Sequence, residues 1–413
     1  MECFAPGQIL ISPNFDPKQS SGYLGDALDH IPFEILYTVE DILRHYGFGS
    51  SIVSFQKKFG YLPMVLRVPE GREEEASRKL RTGTFVKAAC PDLLIRPSGP
   101  IELNRSAVDE AIEFVGATAA AEICGSGCSV AVLDSGIDPG MLTTPGSLDL
   151  QQYDSQVPAN PGVAPSDGFG HGSLVAYIIN RIAPAAKIFS VKVMDRTGTI
   201  GTLISGVYLA EAAGPCHILN MSLSVSCDGE PCSVCGTNVP ASVNAEQLAH
   251  FFKQFSQGNS AHNRALIAAA GNHDRQVKMP ASFPEVLAVG SFDLDRRQPA
   301  EESRYHNVPA NRYILAPGGR HSGATLATAP GQSFSSNDAL FGSSFATAFV
   351  TGVAARIICG AVGRGPCAMA ATPNWGSQLA ERLFSHLRAT ADRAWPEFDQ
   401  KLHGFGLIRY VRV

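Results

Sequence analysis

The sequence contains little charge and no concentrated basic segment. Asp, Glu, Lys and Arg make up 17% of the 413 residues, below the ~25% usual in soluble domains, and the formal net charge is −5. No block of like charges occurs along the chain. Because phosphate binding requires clustered Lys and Arg side chains, we expect no nucleic-acid partner.

Segments that would direct the chain into a membrane are also missing. Residues 1–6 include no basic side chain, and the first Lys or Arg is Lys18. A secretory signal combines a basic start with an apolar stretch. The most apolar later segment, residues 345–362, is interrupted by Arg356 and by several Gly and Thr, so we do not expect it to span a bilayer. We expect a cytoplasmic protein with no membrane partner.

The ten cysteines show no framework of paired spacings, and we expect reduced thiols in the absence of a signal peptide. Three of them, Cys227, Cys232 and Cys235, lie close together in the sequence. The Cys-x-x-Cys pair with Cys227 and a fourth ligand is one pattern for zinc. A disulfide and free thiols are the alternatives. No complete four-ligand pattern is present, so no metal site is predicted.

Residues 1–103 are predicted to form a small ferredoxin-like α+β domain. Its predicted strands are 7–12, 51–55, 61–68 and 85–95, the last interrupted by Pro91, and its predicted helices are 38–46 and 70–81. The order β-α-β-β-α-β is the split βαβ arrangement. A Pro-Ser-Gly-Pro stretch at residues 97–100 indicates the boundary.

Residues 104–413 alternate apolar strands with helices, a pattern typical of a doubly wound, mostly parallel α/β sheet. The predicted strands are 129–133, 187–192, 217–222, 265–270 and 286–289, and the predicted helices are 172–181, 202–213, 241–256 and 344–359. In such sheets an active site lies at the carboxyl ends of the strands.

Four polar residues follow strands or begin helices in this region. Asp134 ends an apolar strand, His171 opens a helix between glycines, Asn272 follows a strand of small residues, and Ser344 opens an Ala- and Val-rich helix. A desolvated carboxylate requires a partner, and an imidazole N–H would make it catalytic. Alone, each residue is equally typical of a cap or a turn.

The order Asp, His, Asn, Ser is the order found in subtilisin. The segments VAVLDSGID, GHGSLVA, AAAGN and GSSFATA resemble the catalytic segments of the subtilisin-like serine proteases, the subtilases. Five further segments, APAAKIFSVKVM, ILNMSLS, PASFPEVLAVGS, LAPGG and HGFGLI, resemble structural segments of that family. The resemblance covers residues 104–412.

The resemblance implies a serine endopeptidase that acts on proteins or a precursor peptide through an acyl-enzyme, without a cofactor. Ser344 would be the nucleophile, His171 the general base and Asp134 its orienting carboxylate. Asn272 and the Ser344 N–H would stabilise the oxyanion. A catalytically silent binding or scaffold relative is the alternative, and an enzyme restricted to one precursor is a further reading.

Departures from the family pattern are conservative. Ser343 stands where Thr is usual, Phe345 where Met is usual, Ala348 where Pro is frequent and Ser173 where Thr is usual. None removes a reacting group. Only 11 residues lie between His171 and Ala183, too few for the calcium-binding loop of many relatives.

The resemblance also implies a substrate cleft. Two strands would hold an extended peptide between them, Arg196-Thr197-Gly198 on one side and Ser222-Leu223-Ser224 on the other. Ser224 replaces a usual glycine and is expected to narrow the cleft. The wall Ala269-Ala270-Gly271 is small and uncharged, which favours an apolar residue before the cut.

The first region resembles the propeptides of this family, so it is predicted to pack on the catalytic region and to keep it as a zymogen. Its tail, residues 94–104, would lie in the cleft like a substrate and then be cut. Pro97 and Pro100 make the bonds before them poor sites, so a cut between Ile101 and Ser106 is expected. A permanently attached accessory domain is the alternative.

Overall fold

The computed structural model of the chain describes most of the first predicted region and much of the second. The described residues are 4–16, 19–97, 105–118, 124–148, 152–155, 166–214, 216–225, 250, 264–272, 276–294, 296–300, 303, 305, 308–309, 311–318, 342–361 and 378–411. In the first region they form β1 (Phe4–Pro13), α1 (Ser20–Leu28), β2 (Glu34–Thr38), α2 (Val39–His45), α3 (Gly49–Phe59), β3 (Met64–Arg67), α4 (Glu73–Thr82) and β4 (Val86–Pro97).

The first-region strands form an antiparallel sheet of order β4-β1-β3-β2, the order of a split βαβ unit. Because side chains alternate between the faces of a strand, the two faces have separate cores. Ile9 and Ile11 of β1 pack in one cluster with side chains from α1 and α4. Leu10, between them, belongs to a continuous apolar cluster that extends into the second region.

The prediction of a strand at residues 51–55 is wrong, because this segment lies in α3. Its buried side chains, Ile52, Phe55 and Phe59, recur at helical spacing, whereas Val53 is 56% exposed. The β-branched pair Ile52-Val53 obscured that period. The helix predicted at 38–46 is confirmed as α2, which begins with a capping box formed by Thr38 and Asp41.

Two elements of the first region, α1 and β2, are absent from the sequence prediction. The helix α1 contains Gly22 and Gly25, which weaken helix propensity, so its sequence resembles a loop. The expected interruption of the last strand at Pro91 is also wrong. Pro91 pairs with Ile9 beside a register shift in the β1–β4 ladder, where a residue without an N–H is tolerated.

The second region follows the predicted alternation closely. Its elements are α5 (Arg105–Phe114), β5 (Ser129–Asp134), β6 (Tyr153–Asp154), α6 (His171–Ile182), β7 (Lys187–Lys192), β8 (Gly198–Thr199), α7 (Ile200–Ala213), β9 (Ile218–Met221), β10 (Leu223–Val225), β11 (Ala265–Ala269), β12 (Val286–Asp293), β13 (Gln298–Pro299), β14 (Tyr313–Pro317), α8 (Ser343–Ala361), α9 (Leu379–Thr390) and α10 (Gln400–His403). Two 3₁₀ turns are Pro139–Met141 and Pro145–Ser147. The helix predicted at 241–256 lies outside the described residues except for His250.

The second-region sheet has the order β13-β12-β11-β9-β5-β7-β6, with β14 also beside β12. Its neighbours are parallel except for β12 and β13. The chain places β7 on one side of β5 and β9 on the other, so the strand order reverses at β5. A crevice at the carboxyl ends of such strands is the usual place for a site. The doubly wound fold class is therefore confirmed.

The division of the chain at residues 103 and 104 stays a prediction, because the described residues end at Pro97 and resume at Arg105. Within the described ranges, none of the helices combines the length and apolarity needed to cross a membrane.

Candidate active site

A buried carboxylate–imidazole pair lies at the carboxyl end of β5. Asp134 is the last residue of β5, and His171 is the first residue of α6. The His171 Nδ1 atom lies 2.8 Å from Asp134 Oδ1, and both side chains are 0% exposed. The Ser135 N–H donates to the same carboxylate oxygen at 2.7 Å. This arrangement fixes the tilt of the imidazole ring and directs its Nε2 atom away from the carboxylate.

Two glycines allow α6 to begin at His171. Gly170 is the N-cap and has a left-handed backbone (φ 89°), which glycine adopts without steric cost. A Cβ atom on Gly172 would lie 2.2 Å from the Gly136 carbonyl oxygen and 3.0 Å from Asp134 Cβ. Only glycine therefore lets the helix approach the loop after β5 closely enough for the Asp134–His171 bond.

Asp167 is a residue that the sequence reasoning missed. Its Oδ1 accepts from the Gly170 N–H at 2.5 Å and from Ser135 Oγ at 2.8 Å. Its Oδ2 accepts from the N–H and the hydroxyl of Ser173 at 2.9 and 2.6 Å. One carboxylate thus binds the residue after Asp134 and the first turn of the His171 helix. An Asp at the start of a helix was the available signal.

Ser344 lies in the first turn of α8, where backbone N–H groups have no acceptor within the helix. Its hydroxyl donates to the Ser222 carbonyl at 2.7 Å. Among the described residues, His171 Nε2 is buried without a hydrogen-bond partner. The ring of Phe345 lies 5.8 Å from the His171 ring, centroid to centroid. The first turn of α8 thus lies near the imidazole through Phe345, and the hydroxyl of the nucleophile candidate is bonded to a main-chain carbonyl, because a hydroxyl turns toward the acceptor in reach.

Asn272 follows β11 and faces the start of α8. Its Oδ1 accepts from the N–H and the hydroxyl of Ser343 at 3.0 and 3.1 Å. The same hydroxyl accepts from the Gly271 N–H at 3.1 Å and lies 3.0 Å from the Gly271 carbonyl oxygen, so its one hydrogen is shared between that carbonyl and Asn272 Oδ1. With Oδ1 on Ser343, the amide presents its Nδ2 hydrogens on the opposite side. Ser343 therefore sets the orientation of the Asn272 amide.

Substitution of Ser343 tests this orientation. We expect Ser343→Ala to lower kcat by about tenfold with KM within about twofold, because the hydroxyl's bonds to Asn272 and Gly271 are lost and only the main-chain N–H still holds Asn272 Oδ1. Ser343→Thr retains the hydroxyl and is the matched control, expected within about threefold of the wild type. Steady-state kinetics on one peptide substrate measures both. A wild-type kcat for Ser343→Ala would contradict the orienting role.

The predicted substrate strands hold a segment of the chain itself. Leu94 and Ile95 of β4 pair antiparallel with Thr199 and Gly198 of β8. On its other side β4 pairs with β10, in a register that joins Ile95 to Val225, Arg96 to Ser224 and Pro97 to Leu223. The end of the first region thus lies as a central strand between β8 and β10.

Not every predicted substrate-binding residue joins these strands. Gly198, Leu223 and Ser224 do, and Ser222 directly precedes β10. Arg196 and Thr197 are exposed in the turn before β8, and the Arg196 guanidinium lies 5.8 Å from the Phe169 ring centroid. The two-residue β8 begins only at Gly198, which leaves the residues before it outside the ladder.

The predicted wall at residues 269–271 is buried. Ala269 ends β11, the Ala270 N–H donates to the Val289 carbonyl, and Gly271 is held by Ser343. These residues bring Asn272 to the start of α8. The segment with Cys227, Cys232 and Cys235 lies outside the described residues, and the part of the chain that is described contains no cluster of metal-ligating side chains.

Comparison with known proteins defines the class to which this fold and this site belong. The model of the subtilase family matches residues 125–372, more than half of the chain. The chain therefore belongs to the subtilase family.

Individual relatives agree with this membership. The thermostable alkaline protease of Halalkalibacterium halodurans is 31% identical over 249 residues, covering 57% of this chain and 58% of that protein. Subtilisin NAT of Bacillus subtilis subsp. natto is 29% identical over 250 residues, covering 57% and 56%. The chain thus spans little more than half the length of these relatives.

Among solved structures, fervidolysin from Fervidobacterium pennivorans, a keratinolytic enzyme related to subtilisin, has a TM-score of 0.63 at 16% identity. The match covers 98% of this chain and 60% of fervidolysin. At this identity the match shows the fold alone. The matched residues include the first region as well as the second.

Proposed function

We propose that the protein is a serine endopeptidase. The observation that carries the proposal is the fully buried Asp134–His171 bond, with Ser344 in the first turn of the helix whose Phe345 ring lies near the imidazole. Ser344 Oγ would attack the scissile carbonyl while His171 Nε2 takes its proton. His171 would then protonate the leaving amine, and water would hydrolyse the acyl-enzyme by the same route. Asp134 holds the imidazole and stabilises its protonated form.

The oxyanion would be stabilised by the Asn272 amide and the Ser344 N–H. Ser343 holds Asn272 Oδ1, so Nδ2 is the group available to donate. The Ser344 N–H lies in the first turn of α8, where the helix dipole favours negative charge. Both donors are fixed before a substrate binds, which lowers the reorganisation required in the transition state.

The proposed substrates are proteins or peptides bound in an extended conformation. Residues 94–97 of the chain itself pair with β8 and β10 on both sides, as an extended substrate segment would. Main-chain hydrogen bonds of this kind give affinity with little dependence on side chains. The described tail ends at Pro97, which pairs with Leu223, the residue after the carbonyl that holds Ser344.

Labelling with a fluorophosphonate probe, followed by profiling on a peptide library, tests the proposal. An active enzyme is expected to label at Ser344 and to cleave a subset of peptides. A catalytically silent relative would do neither. Labelling without any cleavage would contradict the endopeptidase assignment.

We further propose that the first region inhibits the catalytic region by occupying its cleft. Contacts away from the cleft support a stable association. The Tyr208 ring of α7 lies 5.4 Å from Phe55 and 5.9 Å from Phe59, centroid to centroid, in edge-to-face geometry. The Tyr46 hydroxyl accepts from the Asp154 N–H at 2.7 Å and donates to its carbonyl at 3.1 Å. The segment that contains α2 and α3, between β2 and β3, therefore adds contacts between the two regions to the strand pairing.

Intact-mass measurement under denaturing conditions tests whether this region is cut away. We expect wild-type protein to separate into two fragments after a cut between Ile101 and Ser106, and Ser344→Ala to stay full length. Arg105 already belongs to α5, so a cut before it is favoured. A wild-type chain that stays full length while it hydrolyses other peptides would make the first region a permanent regulatory domain.

The buried carboxyl group of Asp92 is expected to make the packing of the two regions pH-dependent. Its Oδ1 accepts from the Gly201 N–H at 2.8 Å, at the N-terminus of α7. Burial raises the pKa of Asp92 from its ordinary 3.8 to about 6. The packed chain thus binds this proton more tightly than the unfolded chain. The protonated Asp92 carboxyl therefore contributes to the free energy of unfolding in full below pH 3.8, and this contribution is lost as the pH rises through 6. The change is on the order of 3 kcal/mol.

Asp92→Asn removes the charge and keeps an oxygen for the Gly201 N–H. We expect this variant to melt at a higher temperature than the wild type at pH 7.5, and at a similar temperature at pH 4.5. Thermal unfolding of both proteins across this range, in the Ser344→Ala background to prevent self-digestion, measures the difference. A constant difference at all pH values would show that Asp92 does not titrate in this range.

A further inference from the structure

A ring of buried hydrogen bonds connects the nucleophile candidate to the middle of its own helix. Thr351 Oγ1 in α8 donates to Asn220 Oδ1 in β9 at 2.8 Å, and Asn220 Nδ2 donates to Ser222 Oγ at 3.0 Å. Ser222 Oγ then donates to the Ser344 carbonyl at 2.9 Å, and Ser344 Oγ donates back to the Ser222 carbonyl at 2.7 Å. All four side chains are 0% exposed.

The direction of each bond in this ring follows from the number of hydrogens available. The Ser344 carbonyl can only accept, so the single hydroxyl hydrogen of Ser222 must point toward it. Ser222 Oγ must therefore accept from Asn220, which places Nδ2 toward Ser222 and Oδ1 toward Thr351. Thr351 is then the donor that holds the Asn220 amide in this orientation.

The orientation of the Asn220 amide matters because the opposite orientation would remove the bond from Ser222 Oγ to the Ser344 carbonyl. Without a donor at position 351, the Asn220 amide could turn and present Oδ1 to Ser222. The Ser222 hydroxyl would then donate to Asn220, and the Ser344 carbonyl would lose its bond from Ser222. That carbonyl would keep only its bond within α8, so Ser222 would no longer hold the start of the helix in place, and the position of Ser344 would shift.

We propose that Thr351 and Asn220 are positioning residues for Ser344, acting through Ser222. Ser222 is the link because its side chain holds the Ser344 carbonyl, its own carbonyl holds the Ser344 hydroxyl, and it directly precedes substrate strand β10. The ring therefore ties the nucleophile to the strand on which a peptide would bind. The kinetic part of this inference rests on the proposed function.

Valine and threonine have the same shape, so Thr351→Val removes the hydroxyl and little else. We expect kcat to fall by about tenfold with KM within about twofold. Thr351→Ser restores the donor and should stay within about twofold of the wild type. Thr347→Val is the matched control, since Thr347 is equally buried in α8 but its hydroxyl donates to the Ser343 carbonyl one turn back in the same helix. It should also stay within about twofold.

Ser222→Ala removes the hydroxyl that joins Asn220 to the Ser344 carbonyl, and together with Thr351→Val it forms a double-mutant cycle. If the residues act as one ring, the Thr351→Val, Ser222→Ala double variant should be no slower than Ser222→Ala alone. Additive losses would overturn the proposal. So would an unchanged kcat for Thr351→Val, an equal fall for Thr347→Val, or a rise in KM alone.

Crystal structures of the wild type and Thr351→Val give a test that does not depend on hydrolysis. We expect Ser222 Oγ to lie within hydrogen-bond distance of the Ser344 carbonyl only in the wild type. The same distance in both structures would overturn the proposal even if the enzyme is active. An inactive wild type with the expected change would instead contradict the proposed function and leave the ring supported.

Discussion

Replacement of Ser344 by alanine is expected to abolish turnover and to leave the fold intact. A fall in kcat of about 10⁶ is the magnitude taken over from subtilisin itself when its nucleophile is removed. The physical reason is that no other group in the site replaces the hydroxyl as nucleophile. The change also removes the bond from Ser344 Oγ to the Ser222 carbonyl, which we expect to lower the free energy of unfolding by about 1 kcal/mol.

Hydrolysis and thermal unfolding should be measured on the same preparation of Ser344→Ala. Ser343→Ala is the matched control, because Ser343 is the adjacent serine, is equally buried, and is expected to lose only about tenfold in kcat. Retained hydrolysis in Ser344→Ala would contradict the assignment of the nucleophile. A loss of cooperative unfolding would show that the hydroxyl is required for the fold instead.

Replacement of Asn272 by alanine should lower kcat by ~10²–10³ with KM nearly unchanged, a magnitude again taken over from subtilisin. The amide would donate only to the charge that develops in the transition state, so substrate binding should not depend on it. Its orientation is set by the two bonds from Ser343 to Asn272 Oδ1. Steady-state kinetics separates the two parameters.

Asn272→Asp is the informative companion variant. The carboxylate keeps the size of the side chain and can accept from Ser343, but it lacks the N–H donor and adds negative charge beside the oxyanion. We expect it to be at least as slow as Asn272→Ala. A tenfold rise in KM with an unchanged kcat, in either variant, would place Asn272 in substrate binding and not in oxyanion stabilisation.

The first region illustrates where sequence patterns were insufficient. Local sequence patterns identified α2 and α4. Both helices have local signals at their starts, since Thr38 caps α2 and the first turn of α4 is acidic. The same reasoning assigned the start of α3 to a strand. Whether Ile52 and Phe55 belong to a strand or a helix depends on what they pack against, and Phe55 packs on Tyr208, more than 150 positions away in the chain.

The sequence by itself determined five strands of the second-region sheet, β5, β7, β9, β11 and β12, and the candidate residues Asp134, His171, Asn272 and Ser344. Each of these residues lies at the end of an apolar strand or near the start of a helix, and such positions can be recognised from the residues next to them in the sequence. The structure brings Asp134 and His171 into contact and bonds Asn272 to Ser343, the residue before Ser344 at the start of α8. Their catalytic roles stay predictions.

Only the tertiary structure decided how these residues are held. The pairing of β4 with β8 and β10, the link that Asp167 makes between the two halves of the Asp134–His171 pair, and the ring from Thr351 to Ser344 all join separate elements. Local sequence does not encode which donor meets which acceptor across such distances. Burial decides it, because each polar group that is removed from water must find its partner in whichever strand or helix the fold places beside it.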